Sequence, residues 1–389
     1  MQEWKLTKGA VASILFVALA ICGRASQNSP VVNHTVARVS PERVAGDPTR
    51  DNHDVSQFLA ADAKGRVLFL HGDTLAVDQI LPSGKIVSWR KPQGKEGSDA
   101  GVREAALSPD GSVWLLASGV DDLSVLSDNE LHPLPTPHWW VSSLTYTTDG
   151  PVLAVLPSWG GGTDAASKVA WDKPPFLLRL DGQAWQTLTA QEALVLSGEP
   201  KSPVMPSFEQ IKGERDVKLA AGRNGAFWAT LQNAYLLKRY SKQGTVEESV
   251  ALNGGRVQWK ERSEEDWKAL EKVAQAAGRT LNRAHRLSAG AVRVVRGLTA
   301  QDNRVYQVIE TPEGVALDRW DAQAEVLDRL LLDGITPGPR YLSVAAGRDG
   351  LYIAARGMGE PIWRLDWQRL DDAKWKAVPE VVVQRPRRQ

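Results

Sequence analysis

One motif returns six times along the chain, and a repeat of that kind restricts the possible fold more than any other feature. Each copy has a few small or apolar residues, a tight turn ending in Gly or Asn, and then a strongly apolar stretch. The copies are 58–70 (FLAADAKGRVLFL), 106–116 (ALSPDGSVWLL), 144–155 (LTYTTDGPVLAV), 219–229 (LAAGRNGAFWA), 298–308 (LTAQDNRVYQV) and 344–354 (VAAGRDGLYIA). Asp-Gly and Asn-Gly tolerate the positive φ of a two-residue hairpin turn, and Asn303 stands where the other copies have Gly65, Gly111, Gly150, Gly225 and Gly350.

A second motif follows each first one, a strand ending in a polar turn: 78–85, 123–130, 177–182, 237–244, 317–324 and 362–368. Short apolar stretches after those turns, at Ile86, Trp185, Val246, Val326 and Trp375, supply fourth strands. Four antiparallel strands repeated six times specify an all-β, six-bladed β-propeller, with Val113-Trp114-Leu115-Leu116 apolar on both faces because a blade packs between two neighbours. The D-G-x-V-W and L-x-R-x-D turns resemble those of the six-bladed propellers of the NHL-repeat, gluconolactonase-like and TolB-like group, across residues 55–380. The resemblance implies the architecture and no activity, since these turns serve proteins of many functions.

Four segments follow. Residues 1–25 form a signal peptide or N-terminal anchor, 26–54 a linker, 55–380 the propeller and 381–389 a tail. Lys5 and Lys8 precede an uncharged run from Gly9 to Cys22. As a helix that run rises about 21 Å, short of the roughly 30 Å hydrocarbon core, which suits an export signal. Cleavage after Ala25, lipidation of Cys22 and retention as a membrane anchor remain open alternatives. The expected compartment is periplasmic or extracellular. Cys22 is the single cysteine, so no disulfide framework or cysteine-rich metal site exists.

Spacings between the six turn positions are 46, 39, 75, 78 and 47 residues. The excess falls in insertions at 156–174, 190–215 and 254–292, all expected on the rim formed by blade exits and second-to-third loops. The last contains an expected helix, with Ser263-Glu264-Glu265-Asp266 at its start and Trp267, Leu270, Val273, Ala274 and Ala277 at helical spacing. The opposite rim is expected to carry only turns too tight to shape a pocket.

Chemistry is sparse. Formal charge is +1, which argues against nucleic acid as the partner. The six histidines form no HExxH pattern, and no phosphate loop, nucleophile elbow or calcium loop occurs. Fifteen tryptophans are many for 389 residues. Trp139, Trp140 and Trp159 stand on the insertion-bearing rim with Arg103 and Arg356, where rings suit a small molecule, a glycan or a protein surface. The expected function is therefore an exported propeller that binds a ligand or partner through that face, with no cofactor and no catalytic set. The resemblance carries an alternative, a lactonase-like hydrolase or lyase using a divalent metal ion held by carboxylates at the channel mouth. Its candidate ligands here are Asp54, Glu104 and Asp216, with no Asn to complete a set and Asp302 in the opposite turn.

Overall fold

In the computed structural model the described residues are 37–45, 57–61, 65–71, 77–81, 85–90, 102–117, 123–134, 140–156, 176–182, 184–188, 217–231, 234–256, 259–261, 263–276, 287–289, 294–311, 313–335, 342–355, 362–379 and 381–385. They form seven sheets, six of them blades built on antiparallel strands and the seventh a two-stranded ribbon. The inner strands are Gln57–Ala61, Val102–Leu107, Trp140–Thr147, Val217–Ala221, Val294–Gln301 and Leu342–Ala346. Each inner strand lies against those before and after it, the sixth against the first, so the ring closes. The chain is a six-bladed β-propeller.

Among the described residues there is no single core. The buried apolar residues fall into six clusters, one at each blade junction. Strand alternation explains the split, because successive side chains point to opposite faces. In the second strand of blade two, Val113 and Leu115 join the cluster shared with blade one, whereas Trp114 and Leu116 join the cluster shared with blade three. All four are buried, as a two-sided apolar strand requires.

The six repeated turns join inner to second strands in all six blades, so they occupy equivalent places on one rim. Their backbones differ. Gly65, Gly111, Gly150 and Gly225 have positive φ, but in blade five the left-handed residue is Asp302 at 58°, one place before Asn303. Gly350 is needed for close approach instead: a Cβ there would lie 2.5 Å from the Leu365 carbonyl oxygen. The arginine of the L-x-R-x-D motif braces the same rim. Arg179 donates to the Lys242 and Gly225 carbonyls, Arg239 lies over Trp228 and pairs with Glu247, and Arg319 pairs with Asp328 beneath the Trp375 ring.

Ring closure comes from the chain's ends. Glu42–Ala45 pairs antiparallel with Ile362–Asp366 and is the outer strand of blade six. The fourth strand expected near Trp375 is therefore corrected. After Asp366 the chain turns into helix α2 (Trp367–Asp372), capped by the Asp366 carboxylate accepting from Arg369 N–H at 2.8 Å. Lys376–Ala377 then pairs with the outer strand of blade five, and Val381–Gln384 with that of blade four. Arg38–Val39 adds a parallel strand to blade five. The stretches read as linker and tail thus cover the outer edges of blades four to six, which would otherwise expose unpaired backbone groups.

Polar bonds fasten the closing strand. Arg364 donates to Glu42 at 2.8 Å and to Asp349 at 3.1 Å, and the Tyr352 hydroxyl donates to Asp349 at 2.9 Å. Burial and the adjoining Asp349 push the Tyr352 phenol up to about 12. The turns of blades one and six also touch directly, Arg348 N–H donating to the Gly65 carbonyl at 2.9 Å.

One junction encloses a fully buried carboxylate. Between blades four and five, Asp318 is fully buried and accepts two bonds from Arg329, at 2.6 and 2.7 Å. The Tyr235 hydroxyl donates to Asp318 at 2.8 Å and accepts from Gln307 at 3.2 Å, while Thr230 donates to Gln307. Burial opposes the charge on Arg329, but the Asp318 carboxylate outweighs it and holds the guanidinium pKa above its ordinary value.

Candidate functional site

Strand directions place the second-to-third loops and the blade exits on one rim, opposite the repeated turns. The ends of all three insertions lie on that rim. Residues 157–175 follow Gly150–Leu156, and 189–216 precede Val217. The third insertion starts later than expected, because the outer strand of blade four runs Val246–Arg256. It holds a two-stranded ribbon of Trp259–Glu261 and Leu287–Ala289, and helix α1 (Glu264–Ala276). Trp267 and Ala274 are buried, while Glu264, Glu265, Lys268 and Lys272 are exposed, so the helix seats one face and solvates the other.

Of the expected binding residues, Trp139, Trp159 and Arg356 lie outside the described residues, as do the expected ligands Asp54 and Asp216. Trp140 opens the inner strand of blade three, and Arg103 lies in the inner strand of blade two. Both positions are at the insertion-bearing end of their strands.

Glu104 is the described carboxylate among the expected metal ligands, and both its oxygens are engaged. Oε1 is 2.7 Å from Lys218 Nζ in blade four, and Oε2 accepts from Leu144 N–H in blade three at 2.8 Å. One side chain from blade two therefore ties three consecutive inner strands. The free edge of an inner strand faces the channel, so its amides need partners. Ser143 Oγ accepts from Leu219 N–H at 3.1 Å, and Thr299 Oγ1 from Ala346 N–H at 3.2 Å, which serves the same need at two further junctions. Among the described residues no group of three His, Cys, Asp or Glu side chains could hold a metal ion.

The rim of tight turns does shape a pocket, contrary to expectation. A cleft of about 300 Å³ lies between the blade-five turns and helix α2. Turn length misleads here because the cleft is made by two turns of one blade and the helix that replaces a strand in the next. Arg304 crosses it, with Nε 3.2 Å from Asp321 and a terminal nitrogen 3.0 Å from Asp371. Burial opposes the Arg304 charge, but Tyr306, Asp371 and Asp321 together raise its pKa. Burial also opposes the Asp321 charge, yet the Ala324 and Gln323 amides and Arg304 hold its carboxyl below the usual range. Asp302 pairs with Arg223 at the cleft's edge. Tyr306 and Trp367 form an aromatic pair with centroids 5.7 Å apart, and Trp367 Nε1 donates to the Gly347 and Arg348 carbonyls at 3.1 and 3.2 Å.

No protein-family model matches the sequence, and no curated protein sequence matches it. Solved structures to which it is similar include a streptogramin B lyase at 11% identity, with 82% of this chain and 95% of that chain covered and a TM-score of 0.43. A calcium-binding protein, regucalcin, from Agrobacterium tumefaciens is 10% identical over 85% of this chain and 95% of its own, with a TM-score of 0.46. A gluconolactonase from Xanthomonas campestris is 13% identical over 88% and 98%, with a TM-score of 0.43. At such identities the likeness concerns the propeller fold alone.

Proposed function

We propose that this protein is an exported binding propeller that holds a ligand or protein partner on its insertion-bearing rim and has no catalytic step. The engagement of Glu104 carries this reading. A divalent cation at that carboxylate would displace the Lys218 ammonium from 2.7 Å or share its oxygen with a like charge, and the second oxygen already serves the Leu144 amide. The carboxylate works as a brace. Three insertions begin and end on the rim above it, and loops held by a rigid scaffold are where binding residues concentrate. The uncharged run from Gly9 to Cys22 supports export.

The rings at Trp140 and Trp159 are the proposed anchors. Immobilised protein is exposed to an envelope extract alongside Trp140→Ala and Trp159→Ala variants. A species retained by the original protein is expected to bind each variant at least about tenfold more weakly, while the melting temperatures stay nearly equal. Equal retention with a much lower melting temperature would make the rings packing residues and contradict this assignment.

A further inference from the structure

We infer that the cleft on the rim of tight turns, between blade five and helix α2, is a second binding site, for a neutral, hydroxyl-rich ligand of monosaccharide size. The inference is separate from the proposed use of the insertion-bearing rim.

The volume of about 300 Å³ is at the lower end of small-molecule pockets, enough for one sugar ring and too small for a folded partner. The lining decides the chemistry. Each carboxylate that lines the cleft already has an arginine partner: Arg304 bonds to both Asp321 and Asp371, and Arg223 pairs with Asp302. A cation entering the cleft would compete with two arginines for those carboxylates. An anion would meet three carboxylates. A neutral ligand breaks no pair.

Gln301, Asn303 and Gln323 also line the cleft, and among the described residues no side-chain amide of the three has a hydrogen-bond partner. Each offers a carbonyl acceptor and an NH₂ donor, which matches hydroxyls that both donate and accept. The Trp367 ring supplies an apolar wall against which the C–H face of a sugar can lie. It is fixed beforehand by its two bonds to the Gly347 and Arg348 carbonyls and by packing on Tyr306, so little ordering remains to be done on binding.

The test titrates the full chain with D-glucose, D-galactose and N-acetyl-D-glucosamine, and separately with spermidine as a cationic probe, by ligand-observed NMR and tryptophan fluorescence. At least one sugar is expected to saturate with a dissociation constant of about 1 mM, and spermidine is not. Gln323→Ala together with Asn303→Ala is expected to weaken that sugar by about tenfold with an unchanged melting temperature, since Asn303 and Gln323 lie exposed on turns. Trp367→Phe should weaken it less, and Trp140→Ala and Trp159→Ala not at all. The inference is overturned if no sugar saturates, if spermidine alone does, or if the Gln323 and Asn303 changes leave affinity intact. Sensitivity to Trp140 or Trp159 alone would also overturn it, while supporting the proposed role of the other rim.

Discussion

Asp318→Ala is expected to destabilise the protein by about 3–5 kcal/mol, the cost of breaking a buried ion pair from one side. The Asp318 carboxylate is fully buried and receives three hydrogen bonds, two from Arg329 and one from Tyr235. Its loss leaves the guanidinium of Arg329 without the carboxylate it is bonded to at the junction of blades four and five. Thermal unfolding should shift down by on the order of 10 °C. The paired replacement Asp318→Leu with Arg329→Met removes both charges and should recover most of that loss, because well-packed apolar groups often match a buried pair. An Asp318→Ala variant that melts with the original protein would show that the network contributes little. A double variant as unstable as the single would mean that packing, and not the stranded charge, sets the cost.

Removing residues 1–46 is expected to have a comparable effect by another route. The truncated chain loses Glu42–Ala45, the outer strand of blade six, and Arg38–Val39 on blade five. Arg364 loses its bond to Glu42, and Val39 leaves the cluster between blades five and six. A chain beginning at Gln27 keeps all of these and should fold with the same β-sheet circular dichroism and melting temperature as the full chain. A chain beginning at Asp47 should aggregate or melt at least about 10 °C lower. Equal stability of the two shorter chains would contradict the closing role given to the first strands.

How much of this was legible in the sequence depends on what each residue was doing. The six turns were legible because a tight hairpin admits few residue types, and the apolar second strands because a blade buries both faces. The closing strand was not. Glu42-Arg43-Val44-Ala45 is short and half polar with no clear alternation, and nothing in four such residues distinguishes it from linker. Val381-Val382-Val383-Gln384 is β-branched and could have been read as a strand, but its partner, the outer strand of blade four, lies far back in the sequence.

Asp318 carried a readable signal that the motif hid. In the third strands it stands where the equivalent repeats have Leu178 and Trp363, both buried, so its place in the repeat argued for burial despite its charge. The cleft had no sequence signal, because Asn303, Gln323 and Trp367 come from two turns and a helix whose apposition only the fold supplies. Glu104 was legible as a carboxylate at the channel end of an inner strand. Its partners were not, since Lys218 is 114 residues away and the Leu144 amide leaves no mark in a sequence.

The status of Glu104 is the point on which the binding reading rests, and calorimetric titration of the full chain with calcium and with manganese tests it most directly. No stoichiometric heat that depends on Glu104 is expected, so that the original protein and Glu104→Gln give the same trace with either ion. One ion bound per chain, lost in Glu104→Gln, would contradict that expectation and make the metal-dependent hydrolase or lyase the better reading.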